Sequence, residues 1–354
     1  MARPAPAKAQ AARLATALRS PTRGSDLVHV NIVCHRSAYG LAQDADLLAD
    51  TLRGAGFRVT ESELRGLPPL ARLRRKLAST LRRGPLYDVN IFSEIAAAPL
   101  FPLARKNVLL PNPEFLRPDT AEHLSAFDAI FCKTHEALEI FNHLGLPAVY
   151  TGFSTPPPAP PIEEKSFAKF FHAGGSLGIK GTDALIDLWQ RHPGWPRLTV
   201  TDTSGKQRPV RDNLEVISSY VPERAFRGLQ HAHGVHLCPS EMEGYGHYIA
   251  EPMSMGNVVL TTDAPPMNEL VTSDRGFLAA TAAKSPHFYG TRYQIDIGSL
   301  ERTIQRVVTT PAATLAEMGQ RAQAWFESND RRFRERLAQA VQKLVASAPS
   351  GQQS

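Results

Sequence analysis

Cysteine is scarce in this chain. Cys34, Cys132 and Cys238 are odd in number and far apart, which argues against a disulfide framework and fits a reducing cytosol. Each closes an apolar run, so the three read as small buried hydrophobes. Long apolar runs are missing as well. No stretch reaches the roughly 18 residues that suggest a membrane-crossing helix. Residues 1–25 are rich in Ala, Pro and Arg and lack the continuous apolar core of a signal peptide, so they read as a disordered basic leader. There is no Gly-x4-Gly-Lys-Ser/Thr phosphate loop. There is also no nucleic-acid motif and no aromatic–basic interleaving of the RNA-binding kind, so no nucleic-acid partner is expected. The expected location is cytoplasmic.

What is present fits a folded chain of two ordinary domains: 354 residues, 42% apolar and 21% charged. The formal net charge is +6, a balance that attracts phosphate, acidic glycans or anionic lipid. Six of the positive charges, Arg72, Arg74, Arg75, Lys76, Arg82 and Arg83, share one helix-like stretch with Leu73, Leu77 and Leu81. Leucines every four residues make one face apolar. The stretch Arg72 to Arg83 reads either as a solvated surface helix or as a peripheral contact with the anionic inner face of a membrane.

Short apolar runs alternate with helical patterns. Strands are expected at Val28–Cys34, Phe57–Thr60, Val89–Ser93, Asn107–Leu110, Ala129–Cys132 and Ala148–Thr151, with helices at Leu41–Gly54 and His135–Leu144. A proline-rich run, Thr155 to Pro161, then interrupts the pattern as a stiff linker. The alternation restarts with strands at Phe167–His172, Leu198–Thr201, Leu214–Ser218, Val235–Cys238 and Asn257–Thr261, and helices dominate from Ser299 to Ala346. The expected organisation is a leader (1–25), an N-terminal Rossmann-like domain (26–154), a linker (155–165) and a C-terminal Rossmann-like domain (166–320). Helices packing back on the first half (321–347) and a tail (348–354) complete it. The fold class is α/β, two doubly wound domains facing each other across a cleft.

Two constellations carry chemistry. In Pro239-Ser240-Glu241-Met242-Glu243-Gly244-Tyr245-Gly246, a strand runs into a turn and then a helix, and Glu251 follows Glu243 by eight positions. Such a turn offers backbone N–H groups and a positive helix end to a phosphate. In Gly174-Gly175-Ser176-Leu177-Gly178-Ile179-Lys180-Gly181, glycines permit close approach of an anion and Lys180 supplies a point charge.

In this order the two constellations, with Gly256-Asn257-Val258-Val259-Leu260 and Pro266-Met267-Asn268-Glu269 after them, resemble the donor-binding domain of the family 4 retaining glycosyltransferases of GT-B fold. The match spans about 100 residues of the chain. Tyr245 replaces the family's Phe, and Ser176 stands in a loop where many relatives have an Arg. The resemblance implies transfer of a hexose-type sugar from a nucleoside diphosphate sugar to a glycan, lipid-linked or other hydroxyl acceptor. It places Glu243 beside the sugar and Glu251 on the ribose hydroxyls. Lys180 and the N–H groups around Gly244, Tyr245 and Gly246 would hold the diphosphate, with Gly174, Gly175 and Ser176 in the same loop and Tyr220 near the base. Tyr39 and Gly40, after the first strand, match the family in outline. Relatives often place a His at a central strand end of the N-terminal domain, near the reacting carbon; the nearest counterpart here is Pro111-Asn112-Pro113-Glu114, which makes Asn112 and Glu114 candidates for a donor or acceptor contact.

No cofactor is expected, and no metal. Asp44-Ala45-Asp46 spells a cation-binding pattern, but it falls inside a helical run and reads as solvent-facing charges. His231, His233 and His236 straddle a helix end and a strand, so their rings need not converge. Two other readings stay open: a sugar-phosphate phosphorylase or epimerase on the same fold, and a non-catalytic membrane or binding adaptor that keeps a transferase fold.

Overall fold

The computed structural model describes residues 27–35, 39–63, 84–157, 163–176 and 178–347. The leader 1–25, the basic stretch 72–83 and the tail 348–354 lie outside the described residues. Strands β1 (His29–Cys34), β2 (Arg58–Glu63), β3 (Tyr87–Ser93), β4 (Ala104–Leu110), β5 (Ala129–Cys132) and β6 (Ala148–Tyr150) form one sheet in the order β2-β1-β3-β4-β5-β6. Strands β7 (Ser166–Gly175), β8 (Leu198–Asp202), β9 (Leu214–Ile217), β10 (His233–Cys238), β11 (Val258–Thr262) and β12 (Gly276–Ala279) form the second, in the order β12-β11-β10-β7-β8-β9.

Every pairing in both sheets is parallel. Parallel sheets are covered on both faces, which explains the unbroken apolar runs: all residues of β5, β10 and β11 are buried. The strand order reverses at β1/β3 and at β7/β10. A crevice opens beyond the carboxyl ends of the strands at such a reversal, and that is where ligands bind in open α/β sheets. This is the paired Rossmann-like architecture expected of a GT-B fold.

The longer helices are α1 (Tyr39–Gly54), α2 (His135–His143), α3 (Thr182–Arg191), α4 (Glu223–Ala232), α5 (His247–Ser254), α6 (Ile297–Thr309) and α7 (Ala312–Ala346). Helix α7 runs for 35 residues. Its apolar stripe starts with Leu315 and Met318, packed in the core of the second sheet. It continues through Ala322, Phe326, Phe333, Leu337 and Val341, packed with Leu48 and Leu52 of α1 and with the first sheet. One core cluster therefore draws on both halves of the chain, with Phe153 and Tyr245 in its middle. The helix crosses close to the turn before β11: a Cβ on Gly319 would overlap the carbonyl of Gly256.

Two departures from the sequence reading matter for the site. Strand β7 extends to Gly175, so Gly174 and Gly175 belong to its carboxyl end and not to a loop. An antiparallel hairpin, β13 (Thr281–His287) and β14 (Gly290–Ile295), projects from the second half and was not anticipated. It forms an arm that reaches the first half. Tyr289 N–H donates to the Pro113 carbonyl (3.1 Å), and the Tyr293 hydroxyl to Glu136 Oε1 (3.3 Å).

Candidate active site

The crevice at the β7/β10 reversal gathers both sequence constellations. Two helices begin there. Helix α3 is preceded by Gly181 (φ 72°) and α5 by Gly246 (φ 98°), both left-handed, and neither N-terminus has a side-chain cap. Uncapped helix N-termini leave N–H groups and partial positive charge directed outward. The two turns are bound to each other, since Glu241 N–H donates to the Ile179 carbonyl (2.8 Å). A Cβ on Gly181 would come within 2.7 Å of the Pro239 carbonyl, so only glycine fits both the dihedral and the space. A Cβ on Gly174 would press on Thr182 Oγ1 at 2.6 Å. By contrast, Gly175 and Gly178 face nothing within 4 Å, which marks the open side of the crevice. Ser176 is exposed beside them.

Lys180 stands over the ring of Tyr248, with Nζ 4.1 Å from its centroid. Burial pushes the Glu243 carboxyl above the usual range, while Lys180, a hydrogen bond from Ser240 and His247 pull it down. Ser240 Oγ donates to Glu243 Oε1 at 2.6 Å. Hydroxyls from β11 fix the strand end behind it: Thr261 donates to the Cys238 carbonyl (2.7 Å) and Thr262 to that of Ser240 (2.5 Å).

Glu251 is buried and well occupied. Its Oε2 meets Arg227 (3.0 Å) and Gln230 (2.9 Å), and its Oε1 accepts a longer bond from Gln43 of the first half (3.2 Å). The Tyr245 ring is turned away from the crevice, edge-to-face with Phe153 (5.3 Å) and His247 (5.6 Å), so only its backbone is placed for a ligand. Tyr220 is 84% exposed in the segment after β9. Tyr39 and Gly40 begin α1, and their side chains lie outside the described ones. The three histidines do not converge. His231 bonds the Glu163 carbonyl, His233 the Leu229 carbonyl and His236 the Gln230 carbonyl. Among the described residues no group of three His, Cys, Asp or Glu is placed to share a metal ion.

The facing wall is built from the carboxyl ends of β3, β4 and β5. Here the structure corrects the reading of Asp44. It is 3% exposed, not solvent-facing, and its carboxylate meets Lys133 Nζ (2.6 Å) and His247 Nε2 (2.6 Å). Lys133 also meets Glu94 (3.2 Å) and donates to Asn112 Oδ1 (2.9 Å), and Asn112 N–H donates to Glu94 Oε2 (3.2 Å). Glu94 holds a left-handed backbone (φ 68°), uncommon away from glycine and kept here by these contacts. Burial alone would raise the Asp44 carboxyl, but Lys133 and His247 bring it down to about 2. Burial would lower Lys133, but its two carboxylate partners raise it instead.

Lys133, Glu94 and His247 were not singled out from the sequence. The available signal was positional, because Glu94 and Lys133 are the first residues beyond buried strands.

Asn112 touches the opposite half directly. A Cβ on Gly244 would stand 2.5 Å from its amide nitrogen and nearer still to the rest of the amide. Gly244→Ala should therefore cost about 1–3 kcal/mol of stability, as overpacking does. The loss should appear as a lower melting temperature and be mostly recovered when Asn112→Ala is added. An equal loss with and without Asn112 would place the strain elsewhere. Glu114, two residues on, is 4% exposed, and its Oε1 has no partner. Burial pushes its carboxyl up to about 8, with Glu94 and Glu243 adding to the shift and Lys133 opposing it. Its neighbour across the interface is the arm, where a Cβ on Gly290 would stand 2.9 Å from that of Glu114.

No protein-family model and no curated protein sequence matches the chain. Solved structures do. Sucrose-phosphate synthase from Thermosynechococcus elongatus superposes with a TM-score of 0.64 at 12% identity, covering 91% of this chain and 100% of that one. HepE from Anabaena, in complex with UDP, gives 0.61 at 14% identity, with coverage of 91% and 100%. A trehalose-6-phosphate protein from E. coli, bound with UDP-2-fluoro glucose, gives 0.58 at 12% identity, again covering 91% and 100%. At these identities the likeness concerns the fold, two Rossmann-like domains in the GT-B arrangement.

Proposed function

We propose that the chain is a retaining, metal-independent glycosyltransferase. It moves a hexose-type sugar from a nucleoside diphosphate sugar to a hydroxyl of a glycan or lipid-linked acceptor. The observation that carries this reading is the pair of uncapped helix N-termini at the β7/β10 reversal, with Lys180 and Glu243 between them. That combination suits a diphosphate joined to a polyhydroxylated group. Two of the structural neighbours were solved with UDP or a UDP-sugar, which makes uridine donors the first to test here.

On this reading the residues divide the work. Cleavage of the sugar–phosphate bond leaves a nucleoside diphosphate and an oxocarbenium-like carbon. Growing charge on the leaving oxygen is met by Lys180 and by the N–H groups that open α3 and α5, all set before reaction begins. Glu243, with its carboxyl raised by burial, would exchange hydrogen bonds with hydroxyls of the sugar. Glu251 holds ribose hydroxyls through Oε1, in place of the long bond from Gln43. Tyr220 lies on the rim toward the base. Asn112 is assigned to the transferred sugar from the other wall, with Tyr39 and Gly40 at the start of α1 on the same side, and Glu114, covered by the arm, would meet the sugar or acceptor only when the arm moves aside. Closure of the two halves excludes water that would hydrolyse the donor.

Metal independence rests on positive charge supplied by the protein and on Asp44 being committed to Lys133 and His247. The test is release of nucleoside diphosphate from a panel of UDP-, GDP- and ADP-sugars, with acceptor glycans, in excess EDTA. NMR of the product anomer reports retention. Transfer should persist in chelator. Loss that manganese or magnesium restores would put a cation on the diphosphate, and free sugar phosphate as product would favour a phosphorylase.

A further inference from the structure

The arm leaves a second cleft, separate from the β7/β10 crevice. It lies between the hairpin and α2, has a volume of about 630 Å³, and is lined by Glu136, Glu139, Leu144, Phe288, Tyr289 and Tyr293. This volume falls within the ordinary range for small-ligand sites, roughly 300–1,000 Å³. Its apolar surface is left open. Phe288 is 57% exposed, Leu144 47% and Tyr289 37%. Phe288 also takes a left-handed backbone (φ 50°), a conformation that costs energy in a bulky residue and here sets the ring at the tip of the hairpin.

The polar side carries the carboxyl groups of Glu136, Glu139 and Glu269, with the rings of His135 and His143 beside them, and Glu269 is taken up by the N–H groups of His135 and Glu136. Glu136 accepts from the Tyr293 hydroxyl, and burial pushes its carboxyl up to about 7 against that bond. A carboxyl poised there can both donate and accept hydrogen bonds. Glu139 stays exposed one helical turn away. Open aromatic faces beside carboxyl groups fit a pyranose ring, which presents C–H groups on its faces and hydroxyls at its edge. The acidic lining disfavours an anionic sugar by like-charge repulsion.

The cleft also has a physical link to the chemistry. Strand β14 is tied to the turn that carries Glu243, through Tyr293 N–H to the Glu241 carbonyl (2.8 Å) and Arg292 to Glu241 (2.6 Å). The tip of the same hairpin covers Glu114.

We infer that this cleft is an acceptor subsite that binds uncharged pyranose units of a glycan, with Phe288 and Tyr289 as stacking platforms and Glu136 and Glu139 reading hydroxyls. The inference rests on the glycosyltransferase reading for its place in the reaction. Its test does not depend on finding the natural acceptor. Saturation-transfer NMR would use maltotriose, cellotriose and chitotriose as uncharged probes and trigalacturonic acid as the anionic one. The rise in melting temperature induced by UDP, GDP or ADP is recorded on the same wild-type sample.

At least one uncharged trisaccharide should bind the wild type at millimolar concentration, and trigalacturonic acid should not. Phe288→Ala with Tyr289→Ala should weaken binding at least tenfold, and Glu139→Lys should let the anionic probe bind. All three positions are at the surface, and the ligand-free melting temperature checks that each variant is folded. Failure of every uncharged probe to bind, or binding that the aromatic double variant leaves unchanged, overturns the subsite. UDP stabilisation together with that failure leaves the transferase reading standing. Absence of stabilisation by UDP, GDP and ADP alike overturns that reading and the acceptor role with it.

Discussion

Lys180→Ala should lower turnover about 100- to 1,000-fold, the range found when one preorganised donor to a developing anion is removed. The loss should fall mainly on kcat, because charge on the leaving diphosphate grows between bound donor and transition state. Lys180→Arg should not restore the rate. Nζ lies over the Tyr248 ring as a compact charge, and a planar guanidinium would present its donors from a different position. Steady-state kinetics with the best donor, and nucleotide affinity by calorimetry, separate the two effects. Wild-type kcat in Lys180→Ala would remove Lys180 from the chemistry and leave the helix N-termini as the charge acceptors.

The second large effect is on stability. Lys133→Met leaves Asp44 and Glu94 buried with their shared cation gone. Removing one member of a buried ion pair typically costs about 3–5 kcal/mol, since the remaining charge keeps its desolvation penalty. Urea unfolding should show a midpoint lowered accordingly, and adding Asp44→Asn and Glu94→Gln should recover much of the loss. An unfolding free energy within about 1 kcal/mol of wild type would show that water or rearrangement already satisfies the carboxylates.

The pH dependence has a definite sign. The folded Asp44 carboxyl, at about 2, lies below its unfolded value of roughly 3.9. Its contribution is fully present above the unfolded value and is lost as pH falls through the folded one. Lys133→Met removes the share of that contribution that Lys133 supplies and leaves the share of His247, so the variant should lose less than wild type between pH 5 and pH 2.

The second half of the chain was more legible in the sequence than the first, for a physical reason. Its site is built from residues close together along the chain, where strand, turn and helix follow one another from Val235 to Glu251. Glycine and proline mark the turns, and the two αL caps at Gly181 and Gly246 fall at glycines that the pattern had already singled out. The first half assembles its wall from Asp44, Glu94, Asn112 and Lys133, spread over four elements that parallel crossovers bring together. Nothing near Asp44 in sequence distinguishes it from Asp46, yet one is buried between Lys133 and His247 and the other is at the surface. The arm escaped detection because its first strand has no buried face to produce alternation, and in the second only Tyr293 and Ile295 turn inward. From Ala282 to Pro286 every residue is exposed, and Pro286 argues against a strand.

Helix α7 bears on how this chain is made. The first sheet is complete in sequence at Tyr150, yet Leu48 and Leu52 on its flanking helix find their apolar partners in Phe326, Phe333 and Val341. At about 5–20 residues per second, the ribosome adds the intervening stretch in roughly 10–40 s. During that interval the part of the earlier half that α7 covers in the finished chain has no such partner. The usual order, in which the first-made domain settles before the next emerges, is therefore reversed for this surface.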